Sequence, residues 1–103
     1  MEASLTIEKD RVILKLWGRF DVKWRQEFLT AFSQAKDENT EEIVVDLREV
    51  PFIDSTALGL LMVAHNQCKT SSRTLRLCVS HGHVKRTLEQ MKISELVSMV
   101  LTI

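Results

Sequence analysis

Five consecutive residues, Ile43-Val44-Val45-Asp46-Leu47, constrain this chain more than any other stretch. Side chains alternate across a strand, so a short run that is nearly continuous in apolar, β-branched residues reads as a central strand buried on both faces. The segments around it carry other periods. Residues 5–8 and 12–17 alternate, with Val12, Leu14 and Leu16 on one face and Ile13, Lys15 and Trp17 on the other, which predicts a β-hairpin turning at Lys9-Asp10. After Gly18 the period lengthens to about 3.6. Trp24, Phe28, Ala31, Phe32 and Ala35 recur at helical spacing behind an N-cap candidate, Asp21, and that helix should end near Lys36.

Residues 37–42 form a polar connection into the central strand. Beyond it Pro51 interrupts, Asp54-Ser55-Thr56 offers capping side chains, and residues 57–69 have the length and composition of a second helix. Leu75, Leu77 and Val79 then alternate with Arg76 and Cys78 as a strand. Residues 80–82 turn into a third helix with Val84, Leu88 and Met91 on one stripe. The tail, residues 93–103, is apolar enough to pack back as a helical turn near Ser94-Glu95-Leu96 and a last strand. A hairpin followed by helix, strand, helix, strand, helix predicts an α/β fold: a mixed β-sheet of four to five strands with helices mainly on one side.

At 103 residues the chain is expected to form one domain, 1–103, with a core too small to enclose a large active-site cavity. Fourteen basic side chains stand against fourteen acidic ones, a formal net charge of zero. That balance lacks the electrostatic footprint that binds nucleic acid or an anionic membrane surface. The longest apolar run, residues 57–64, is far short of the roughly 20 residues that cross a bilayer, and Met1-Glu2-Ala3-Ser4 has no basic leader. No membrane insertion and a cytoplasmic location are expected, with Cys68 and Cys78 reduced and partly buried.

Residues 44–61 carry the functional signal. A buried strand leads through a short loop to a helix start bearing two hydroxyls and a carboxylate. Unpaired N–H groups and the positive end of the helix dipole make that place a good host for an anion, including a phosphate attached to a serine. The plainer alternative is that Asp54 or Ser55 is an N-cap, worth about 1 kcal/mol. On the helix that follows, Leu58, Leu61, Met62 and His65 are expected to point inward, leaving Thr56, Gly59, Leu60 and Val63 outward beside Ser55. Exposed apolar groups next to a glycine would let a partner backbone approach closely, unless the tail covers Leu60 and Val63.

These residues resemble the signature of STAS domains, specifically of bacterial anti-sigma factor antagonists. There a strand, a Val-x-Phe/Tyr-Ile/Met-Asp-Ser loop and a Ser/Thr-x-Leu-Gly helix start follow in this order, as from Val50 to Gly59 here. Gly18-Arg19-Phe20-Asp21 resembles the family's Gly-x-Leu/Phe-Asp turn ahead of the first helix. Ala57 replaces the glycine common in the motif, resembling a Ser-Ala-Leu-Gly variant. The resemblance extends over essentially the whole chain.

The resemblance implies that Ser55 is phosphorylated by an anti-sigma factor with serine kinase activity and dephosphorylated by a metal-dependent, PP2C-like phosphatase. The unmodified form would bind the anti-sigma factor and release a sigma factor. Thr56 is the alternative acceptor. Asp54 would support the loop or the incoming hydroxyl, and Asp21 would lie beside it, so the expected partner-binding set is Asp21, Asp54, Thr56, Gly59, Leu60 and Val63. No catalytic residue, cofactor or metal is expected.

Three other readings compete. Ser55 could be a nucleophile with His65, His81 or His83 as base and Asp54 or Asp46 as orienting carboxylate. The Gly-x-Ser-x-Gly elbow is absent, however, because Ile53 and Ala57 fill the glycine positions. His81-Gly82-His83 could bind a metal, but two histidines without a third ligand are a weak set. The third is an accessory STAS module that regulates a transporter by protein contact without being phosphorylated. Trp17 and Trp24 read as packing residues, since no basic stripe accompanies them.

Overall fold

The computed structural model describes residues 1–103. Lys9 and Asp10 reverse the chain between β1 (Glu2–Glu8) and β2 (Arg11–Trp17), which pair antiparallel from Glu8 opposite Arg11 to Glu2 opposite Trp17. Of the two tip residues only Lys9 has a positive φ, 52°, in the left-handed region. Gly18 ends β2 with φ at 91°, a backbone conformation that favours glycine. Asp21 then caps a 3-10 turn, Val22–Trp24, its Oδ1 accepting from the Lys23 N–H at 3.1 Å. The first helix, α1 (Arg25–Asp37), follows that turn instead of starting at Asp21 as the sequence suggests.

Next come β3 (Glu42–Glu49), α2 (Ser55–Thr70), β4 (Thr74–Cys78), α3 (His83–Gln90), a 3-10 turn at Ile93–Glu95 and β5 (Ser98–Val100). The sheet order is β1-β2-β3-β4-β5, with every pair after the hairpin parallel. In a sequential parallel order, right-handed crossovers put all connecting helices on one face. Accordingly Val12, Leu14 and Leu16 of β2, Ile43, Val45 and Leu47 of β3, and Leu75 and Leu77 of β4 share one apolar core with residues of α1, α2 and α3. Met91 does not join that core. It lies one residue past α3, where Lys92 at φ 61° stops the helix, and is 60% exposed.

The opposite sheet face carries no helix, yet Ile13, Val44 and Cys78 are buried there because Val100 and Ile103 pack on them. Arg11 donates through Nη2 to the Ile103 carbonyl at 3.4 Å, so the tail reaches back as far as β2. This explains why Val44 is buried although no helix covers its side of β3. Cys68 and Cys78 are both free and buried, and burial pushes both thiols up, which keeps them protonated and unreactive.

Asp46 is the one charged side chain in the buried part of β3, only 1% exposed. Residues two apart share a strand face, and Arg48 uses that placement: its Nε and Nη2 donate to Asp46 Oδ1 and Oδ2 at 3.0 and 2.9 Å, while its backbone N–H donates to Oδ1 at 3.1 Å. Burial alone would push the carboxyl up. The Arg48 hydrogen bonds and charge, with Lys15 alongside, outweigh it and hold the group below its ordinary value. A depressed folded-state value contributes stability that is complete above the unfolded pKa, about 3.9, and disappears as pH falls through the folded value. Urea denaturation should therefore find wild-type stability dropping below about pH 4, with that component absent in Asp46→Asn. At neutral pH, Arg48→Ala should cost about 1.5–3 kcal/mol because it strips a buried carboxylate of its charged donor.

Candidate functional site at the carboxyl ends of the parallel strands

Open α/β sheets place their functional loops beyond the carboxyl ends of the strands. Here the β2–α1, β3–α2 and β4–α3 connections meet at that edge. Phe20 forms a parallel bridge with Ile53: its N–H donates to the Phe52 carbonyl at 3.0 Å, and its carbonyl accepts from the Asp54 N–H at 3.3 Å. Asp54 secures both loops. Its Oδ1 accepts from the Ala57 N–H at 2.9 Å, capping α2, and its Oδ2 accepts from the Val22 N–H at 3.1 Å. Asp21 lies in the same loop pair, with Arg19 Nε 3.8 Å from its Oδ2.

Asp54, then, is the N-cap, and Ser55 is the first helical residue, its side chain exposed. From Ser55 the outward stripe of α2 runs through Gly59 to Val63, which is 42% exposed, with Thr56 and Met62 half-buried at its margins. Leu60 departs from expectation. Together with Ala57, Leu61, Ala64 and Cys68 it points into the core, 6% exposed. Leu58 and Met62, expected to point inward, only flank that core. The helix is turned so that position 60 faces the sheet, 100° per residue fixing the rest.

Both carboxylates of the hydrolase reading are already engaged. Asp46 faces the helix-free side of the sheet, bonded to Arg48. Both Asp54 oxygens accept from backbone N–H groups. His65 sits ten residues along α2, about 15 Å from Ser55 at the helical rise. His83 stacks on Phe52, ring centroids 5.3 Å apart and planes at 6°, and the Arg19 guanidinium lies 4.3 Å from the centroid of the same ring. That three-residue contact has no sequence signal of its own, since no periodicity links residues 19, 52 and 83. No helix is long and apolar enough to cross a membrane.

Several known proteins share this architecture. A candidate anti-sigma factor antagonist from Thermotoga maritima superposes with a TM-score of 0.89 at 22% identity, covering 98% of this chain and 87% of the other. An anti-sigma factor antagonist from Mycobacterium paratuberculosis gives 0.90 at 13% identity, covering 99% and 86%. The Bacillus cell fate determinant SpoIIAA, in its phosphorylated form, gives 0.71 at 14% identity, covering 96% and 91%. At these identities the likeness is one of fold. The family model of the STAS domain matches residues 3–103. Because that match runs from the first strand to the tail and takes in all three loops at this edge, the chain belongs to the STAS domain family.

Proposed function

We propose that the protein is an anti-sigma factor antagonist whose unphosphorylated form docks an anti-sigma factor through the start and outward stripe of α2, and that phosphorylation of Ser55 ends the docking. The observation that carries this reading is the division of labour at the helix start. Asp54 does the capping, so Ser55 is left exposed at the positive end of α2, where a phosphate is electrostatically welcome. The fold-related SpoIIAA is an anti-sigma factor antagonist with both an unphosphorylated and a phosphorylated form. The partners on this reading are an anti-sigma factor with serine kinase activity and a PP2C-like phosphatase, and the setting is the cytoplasm. Asp21 and Asp54 hold the loops, Thr56 borders the surface, and Gly59, Met62 and Val63 form its apolar part.

Gly59 supports the same surface. A Cβ there would meet nothing within 4 Å, so packing within the chain does not call for glycine, although glycine inside a helix costs about 1 kcal/mol relative to alanine. Close approach of a partner backbone would account for it. Gly59→Ala should thus raise stability by about 0.4–1 kcal/mol in urea denaturation while weakening anti-sigma factor binding. Calorimetric titration of the unmodified and phosphorylated protein against the anti-sigma factor tests the reading: binding by the first and not the second is expected, and equal affinities would refute the switch.

A further inference from the structure

Phe52 lies three residues before Ser55 and is held in two ways. Its backbone carbonyl accepts from the Phe20 N–H at 3.0 Å, which ties it to the β2–α1 loop. Its ring, half-buried and outside the core cluster, packs against Arg19 of that loop and against His83, the first residue of α3. Arg19 and His83 are both exposed. Burial of apolar area therefore does not explain where they sit, whereas cation–π and parallel ring stacking do.

We propose that Arg19 and His83 are positioning residues for Ser55: by holding the Phe52 ring they fix residues 52–54, and through the Asp54 cap they fix the start of α2. This rests on the reading of Ser55 as the switch residue and extends it, because it makes α3 and the β2–α1 loop control elements of that site. A hydroxyl presented for phosphoryl transfer must be held in line with its donor, and misplacement by 1 Å far from the chemistry can cost much of the rate. The two residues need not touch the partner to act. Loss of either contact lets Phe52 and residues 54–56 move while the core beneath, Ile53, Ala57 and Leu61, stays packed.

The test uses the full chain with His83→Ala, His83→Phe and Arg19→Ala. Amide hydrogen exchange at Asp54 and Ala57, whose N–H groups donate to the Phe20 carbonyl and to Asp54 Oδ1, is expected to quicken about tenfold in both alanine variants, since these bonds open locally once the stacking contact is lost. The melting temperature should stay near wild type. His83→Phe, which keeps an aromatic ring on Phe52, should restore slow exchange. With the anti-sigma kinase purified from the same cells, kcat for Ser55 phosphorylation should fall about fivefold in His83→Ala, with KM moving less than twofold, as expected when positioning and not binding is lost, and should recover in His83→Phe.

Unchanged exchange and unchanged kcat in His83→Ala would overturn the proposal, and so would failure of His83→Phe to restore them. If wild-type Ser55 accepts no phosphate, the phosphoswitch falls, and the exchange measurement alone then decides whether the ring contact holds the loop.

Discussion

Replacing Ser55 by aspartate is expected to weaken anti-sigma factor binding about a hundredfold, while the circular dichroism spectrum and melting temperature stay near wild type. The two effects have separate causes. A partner that closes over α2 must desolvate the new charge or bring a like charge against it, and a penalty of about 3 kcal/mol corresponds to more than a hundredfold in affinity. Within the chain the charge sits at an exposed helix start, where the dipole favours it by about 0.3–1 kcal/mol. Phosphate itself carries roughly −1.5 to −2 at neutral pH and acts in the same direction. On a chain whose formal net charge is zero, one such group is a large local change. Ser55→Ala should bind like wild type and accept no phosphate. Phosphate appearing at Thr56 in that variant would move the site by one residue.

Leu60→Ala is expected to destabilise the fold by about 2–5 kcal/mol, since it empties a packed position between α2 and the sheet. For a chain of this size each kcal/mol lowers the melting temperature by roughly 4–8 °C, so the loss is easily read in a thermal or urea melt. Val63→Ala, on the exposed stripe, should change stability by no more than about 0.5 kcal/mol and weaken partner binding instead. The pair separates the inward from the outward face of α2. A Leu60→Ala protein as stable as wild type but poor in binding would put Leu60 back on the docking surface.

Leu60 also marks where sequence periodicity runs out. Between Ala57 and Ala64 every residue but Gly59 is apolar, and a helix apolar nearly all round offers little phase information. The strands carry a cleaner pattern. Val12, Leu14 and Leu16 alternate cleanly with Ile13, Lys15 and Trp17, and the burial of Ile43, Val44, Val45 and Leu47 follows from their apolar run. The hydroxyl and carboxylate at the α2 start were legible because capping needs those residue types at that place, although only geometry decides that Asp54 caps and Ser55 does not. The Asp46–Arg48 pair obeys the two-residue strand period. The contacts of Phe52 with Arg19 and His83 follow no period, because parallel strand order alone brings their three loops to one edge.

The central claim is that Ser55 is a reversible phosphate switch. Intact-mass analysis with site mapping, applied to the protein isolated from its own cells under several growth conditions, tests it most directly. The predicted result is a single added phosphate at Ser55 whose occupancy changes with condition. Absence of phosphate at Ser55 under every condition would contradict it and favour a STAS module that acts by contact alone.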